Sequence, residues 1–184
     1  FVLVSMVFTS RVLGLIRDRL LSARFVPEDL GIYFAAFRLP NLLFELLVMG
    51  ALTSAFIPVF TKYLSHNKEK EAWKIAATLI NLSVIVLCVL SVPVFIWTEE
   101  FSRFLAPGFS TGQIVQMAAF TRFMIGFQVL PLLVGCFFTG ILQSFQRFLI
   151  PALASIFYNL GIIISIIFLA PVIGVHAPAF GMIL

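Results

Sequence analysis

The sequence predicts an all-α, polytopic transmembrane bundle, and three observations predict it. Hydrophobic residues make up 61% of the chain and charged residues only 11%, against about half and a quarter in soluble domains. Long stretches carry no Asp, Glu, Lys or Arg at all: Ile75 to Trp97, Phe123 to Gln146, and Phe148 to Leu184. Lysines gather in one short link, KYLSHNKEKEAWK, from Lys62 to Lys74. A chain this apolar cannot cover itself with polar surface, so its expected solvent is lipid. The net charge of +4 does not point to nucleic acid, because no basic stripe with interleaved aromatics accompanies it.

A helix needs ~20 mostly apolar residues to cross a ~30 Å hydrocarbon layer. On that rule the expected helices cover residues 1–24, 30–63, 73–97, 114–145 and 148–170, with 177–184 as the start of another. The first is apolar as far as Arg11 and then carries Arg17, Asp18, Arg19 and Arg24. The second holds Arg38 and Glu45, with Pro40, Gly50 and Pro58 as expected bend points. At helical rise it would run roughly 50 Å, so it must tilt, bend or project from the bilayer. Ala170-Pro171 and Gly174 to Pro178 divide the last apolar run.

Loop charge sets the expected orientation. The lysine-rich link at 62–74 should be cytoplasmic, which places the 24–30 and 98–113 links outside and the turn at Arg147 inside. The N-terminus then falls on the cytoplasmic side. No period of 20–50 residues repeats, so a transporter-type repeat would have to pair this whole unit with a second one. The start at Phe1 and the stop within an apolar run at Leu184 read as a fragment.

An ionisable group in a membrane helix costs ~2.5–3.5 kcal/mol, so it is expected to face protein or a wet cavity. The notable groups are Arg11, Arg17, Asp18, Arg38, Glu45 and Arg122. Seven residues advance a helix by nearly two turns, so Arg11 shares a face with Asp18, and Arg38 with Glu45, with Asn41 between them. Two polar stripes facing one lumen would form a guanidinium-rich cavity suited to phosphate or pyrophosphate. Arg11, Arg17 and Arg38 are the candidate substrate-binding residues; Asp18, Asn41 and Glu45 are candidate structural or charge partners. The plain alternatives are snorkelling of Arg17, Asp18 and Arg19 at the interface and a self-neutralising Arg38–Glu45 pair. Arg122 reads as an interfacial anchor at the start of a helix.

Gln128, Gln143, Gln146, Ser155 and Asn159 are expected to form interhelical hydrogen bonds. Cys88 and Cys136 lie in apolar runs as small filler. No His, Cys or carboxylate group has metal-ligand spacing, no nucleophile–base arrangement occurs, and no cofactor is expected. The chain does not read as an enzyme.

Ser10-Arg11-Val12-Leu13-Gly14 with Arg17-Asp18 resembles the first-helix signature of the MurJ (MviN) lipid II flippases. Ala36-Phe37-Arg38-Leu39-Pro40-Asn41-Leu42-Leu43, Gly50-Ala51-Leu52 and Ala55-Phe56-Ile57-Pro58-Val59-Phe60 resemble their second helix. Leu105-Ala106-Pro107-Gly108-Phe109, Thr121-Arg122, Gly140 to Ser144, Arg147-Phe148 and Ile150 to Leu153 continue the likeness in order. The resemblance implies the multidrug/oligosaccharidyl-lipid/polysaccharide exporter superfamily, with two six-helix lobes around a central cavity; this chain would be most of the first lobe. It further implies a bacterial inner-membrane protein with a pyrophosphate-linked sugar lipid as cargo, bound in part by Arg11 and Arg17, and alternating access as the mechanism. The sequence departs from the family pattern at Gly31 and Met49, where acidic residues are usual, and at Phe44, where an arginine is usual. Asp29 and Glu45 are the neighbouring candidates to replace the acidic groups. A polysaccharide-lipid flippase, a multidrug exporter and a structural membrane scaffold stay open as alternatives.

Overall fold

The computed structural model describes residues 2–47 and 56–182. Among the described residues every regular element is helical: α1 (Val2–Arg24), α2 (Pro27–Ala36), α3 (Arg38–Leu47), α4 (Ile57–Ser65), α5 (Glu69–Ile96), α6 (Thr98–Leu105), α7 (Thr111–Phe127), α8 (Val129–Ser144), α9 (Leu149–Phe168), α10 (Ala170–Ile173) and α11 (Ala177–Gly181). A 3-10 turn at Gly174–His176 joins the last two. α5 and α9 are each long and apolar enough to cross a membrane, and α7 with α8 qualifies as one bent span. The 23 residues of α1 reach ~34 Å at helical rise, but its second half carries the charges named above.

Prolines decide where the long apolar stretches break. A proline inside a helix lacks its N–H and crowds the carbonyl four residues earlier. Pro40 acts on the Ala36 carbonyl, and the chain breaks at Phe37 between α2 and α3. The released Ala36 oxygen, buried among helices, instead accepts a hydrogen bond from the Thr121 hydroxyl at 3.1 Å. Pro131 acts on the Phe127 carbonyl, and α7 and α8 meet at Gln128 with a 44° bend. The single helices expected over 30–63 and 114–145 are therefore divided. Pro58 sits in the first turn of α4, where its missing N–H has no intrahelical acceptor to lose. Gly50, the third expected bend, lies outside the described residues.

Helix ends are closed by local chemistry. Ser110 and Gln113 form a reciprocal capping box at the start of α7, satisfying two otherwise orphaned N–H groups. The Gln113 amide also donates to Glu28 Oε1 at 2.6 Å, tying the start of α7 to that of α2. At the end of α4, Lys68 N–H reaches back to the Tyr63 carbonyl; at the end of α8, Arg147 N–H reaches the Leu142 carbonyl. Both closures pass through a residue of positive φ, Asn67 and Gln146, as this wrap of the last turn requires.

Among the described residues packing falls into three clusters. Leu39, Leu43, Phe56, Phe60, Leu87, Leu133 and Phe137 join α3, α4, α5 and α8. Ile32, Tyr33, Met117, Phe120 and Met124 join α2 to α7 and the C-terminal turn. Leu21, Ile162 and Ile166 join α1 to α9. In lipid, burying apolar surface supplies no hydrophobic drive between helices, so close van der Waals fit must hold them. The Phe56 ring is stacked on Phe60 at 5.2 Å and meets Phe137 edge-on at 5.4 Å, a favourable arrangement for ring quadrupoles. Lipid as solvent also explains the outward Val4, Phe8, Leu15 and Val172, each exposed by two thirds or more.

Candidate functional site

The α1–α9 seam is polar. Ser10, Gly14, Arg17 and Leu21 recur at helical spacing on one face of α1. Opposite them on α9 stand Ser155 and Asn159. The Ser10 and Ser155 hydroxyls are 2.7 Å apart. Asn159, only 6% exposed, donates to the Ser10 carbonyl and to the Ser155 carbonyl, and its oxygen accepts from Arg17 Nη1 at 3.0 Å. Gly14 lies beside this network, and a Cβ there would meet Asn159 Oδ1 at 3.8 Å, an ordinary contact distance.

Arg17 also donates through Nε and Nη2 to Asp18 Oδ1, both at 2.9 Å. Those three bonds occupy three of the five guanidinium N–H groups, leaving two free to meet a ligand. Arg11 lies one to two turns earlier, is exposed, and has no hydrogen-bond or ion-pair partner among the described residues. Both arginines line one cleft of about 620 Å³, together with Ser10, Asp18, Tyr158 and Asn159. Asp18 offsets one of the two cations, so the cleft keeps a net positive charge.

A second cavity of about 320 Å³ continues past Arg17 and Asp18 toward Tyr33, Asn41, Gln128 and Tyr158. Asn41 thus lines a cavity with Arg17, while Arg38, three residues earlier on α3, lies outside that lining. Arg38 lines a different cavity of about 480 Å³, beside Gly31, Phe34, Ala106 and Phe109, and its Nη1 donates to the Leu105 carbonyl at 3.4 Å. The expected single lumen for all three arginines is corrected accordingly: Arg11 and Arg17 come together, Arg38 does not.

Arg38 and Glu45 form no ion pair, although they lie on one helix; the pairs among described residues are Arg17–Asp18, Lys68–Glu71 and Arg122–Glu99. Seven residues separate Arg38 from Glu45 by ~10 Å of helix, too far for contact, and Arg38 turns to Leu105 instead. Arg122 lies within α7 and not at a helix start; it pairs with Glu99 of α6 at 3.8 Å and donates to the Phe95 carbonyl. Gln128, expected in an interhelical hydrogen bond, reaches only the Met182 sulfur at 3.5 Å, and its side-chain oxygen is buried without a partner. Of the three family departures, Gly31 borders the Arg38 cavity, Phe44 is half-buried on α3, and Met49 lies outside the described residues. No group of His, Cys, Asp or Glu able to hold a metal occurs among the described residues.

Sequence reasoning found Arg11 and Arg17 because cations stand out in an apolar helix. It gave no role to Tyr33 and Tyr158, which line the cavities, and no partner to Asn159. The signal for Asn159 was its place on an apolar helix one turn after Ser155; nothing in the sequence linked either residue to α1.

Helices with apolar exteriors, long enough in α5 and α9 to cross a membrane, define an integral membrane protein of helical type. The family described as "Lipid II flippase MurJ" matches residues 26–184. The chain belongs to that family, as the motif resemblance implied. It is 30% identical over 168 residues to the "Lipid II flippase MurJ" of Burkholderia cenocepacia, covering 88% of this chain and 32% of that protein. It is 32% identical over 171 residues to the "Probable lipid II flippase MurJ" of Bdellovibrio bacteriovorus, covering 89% and 32%. With the protein of the same name from Borreliella burgdorferi it shares 27% over 177 residues, covering 96% and 34%. The chain therefore spans about a third of the length of the curated relatives it matches.

Proposed function

We propose that this chain forms most of the first lobe of a flippase that carries a lipid-linked peptidoglycan precursor, lipid II, across the bacterial inner membrane by alternating access. The observation that carries this reading is the shared cleft of Arg11 and Arg17, in which Arg11 has no acidic partner among the described residues. A cation in a low-dielectric wall attracts an anion far more strongly than one in water. Arg adds a planar fork of donors matched to phosphate oxygens. In this reading Arg11 and the two spare N–H groups of Arg17 meet the pyrophosphate, while Asp18 and Asn159 orient Arg17. Arg38 contributes positive field from its separate cavity, and Asn41 lines the path onward from Arg17. The cargo is a lipid-linked anion that needs no cofactor. A second lobe of the full-length protein closes the other side of the cleft. The lysine-rich link at 62–74 sets the N-terminus in the cytoplasm.

The test is complementation of a flippase-depleted bacterial strain by the full-length protein. Arg17→Ala is expected to abolish rescue while membrane expression persists. Full rescue by that variant would overturn the reading.

A further inference from the structure

Gln128 sits where Pro131 bends the α7–α8 span, and its side chain faces the interior of the bundle. It is 7% exposed. Among the described residues its amide nitrogen contacts only the Met182 sulfur, a weak acceptor, and its oxygen has no partner. Turning the amide over would exchange the two atoms and still leave one strong polar end unsatisfied. A buried unpaired amide oxygen costs about 1–3 kcal/mol, so such a group calls for an explanation.

The surroundings supply one. Gln128 lines the 320 Å³ cavity that begins at Arg17 and Asp18, and a further cavity of about 410 Å³ on its other side. Tyr158 borders both of these and the Arg11–Arg17 cleft, so the three spaces meet at that ring. Beyond the guanidinium end, the polar groups are neutral: the Asn41 and Gln128 amides and the Tyr33 and Tyr158 hydroxyls. Neutral amides and phenols beside aromatic walls suit the hydroxyl and amide groups of a sugar better than a second charge.

We propose that Gln128 is a specificity-determining residue that hydrogen-bonds the sugar attached to the pyrophosphate, while Arg11 and Arg17 hold the phosphates. This rests on the flippase reading above and adds a second subsite to it. Gln128 stands at the junction of α7 and α8, where the span bends by 44°.

The experiment measures binding of two probes to the full-length protein in detergent: lipid II and a polyprenyl pyrophosphate without sugar. In Gln128→Leu, which keeps the bulk and removes the amide, affinity for lipid II is expected to fall about tenfold. Affinity for the sugar-free lipid should be unchanged, and thermal stability should not fall, because an unpaired buried amide has been removed. Arg17→Ala should weaken both probes. Equal weakening of both by Gln128→Leu, or no change in either, would overturn the sugar subsite while leaving the flippase reading standing. If the unmodified protein bound neither probe, the flippase reading itself would fall, and the subsite with it.

Discussion

Arg17 and Arg11 are one chemistry put to two uses. Arg17 is tied to Asp18 and Asn159 and keeps two donors spare; Arg11 is tied to nothing described and is free to follow a ligand. Both could be singled out in the sequence, because a charge in an apolar helix is expensive enough to need a reason. The clamp on Arg17 could not, because Asn159 lies 142 residues away in the chain. Asn159 bonds Ser10, Ser155 and Arg17 at once, so its loss strips the seam of its centre. Interhelical bonds in membranes average ~0.6 kcal/mol each. Asn159→Leu in the full-length protein is therefore expected to cost about 1–2 kcal/mol, seen as a lowered thermal-unfolding midpoint in detergent. An unchanged midpoint would mean that apolar contacts alone hold α1 on α9.

At the scale of elements, small residues and prolines shape the bundle. α11 presses against α9 through Ala177 and Gly181 on one side and Gly161 and Ser165 on the other, each pair four residues apart, and the Ser165 hydroxyl donates to the Ala177 carbonyl. Such small-xxx-small faces let backbones approach closely in lipid. A Cβ on Gly181 would lie 2.6 Å from Ser165 Cβ and 2.7 Å from the Gly161 carbonyl oxygen. Gly181→Ala must then push α11 away, at a cost of about 1–3 kcal/mol. Disulfide cross-linking of cysteines placed on α9 and α11 should lose efficiency in that variant; undiminished cross-linking would show that the contact yields cheaply. The prolines were visible in the sequence, and Pro40 was read as a bend point. Pro131 carried the same signal. The run around it is apolar throughout, and apolarity reports solvent and not helix direction.

Across the whole molecule, the Arg11–Arg17 cleft lies along α1 and the lysine-rich link joins α4 to α5, so water access and orientation have separate tests. With Cys88 and Cys136 replaced, a full-length Arg11→Cys variant is expected to react with a membrane-impermeant maleimide, since water must reach the cleft for it to hold a charge. A Lys68→Cys variant should react only when the cytoplasmic face is open to the reagent. A protected position 11 would leave the cleft dry and remove the chemical basis for anion binding; labelling of position 68 from outside would invert the assigned topology.

The sequence alone determined that this chain is helical, membrane-embedded and of one family. Those properties are local: in lipid each backbone segment must satisfy its own N–H and C=O groups, so composition over ~20 residues is decisive. Tertiary structure alone decided which polar groups meet. Arg17 finds Asn159, Arg38 turns away to Leu105, and Gln128 is left with an open oxygen, because these outcomes depend on how bent helices cross, and crossing geometry is written in contacts far apart in the chain.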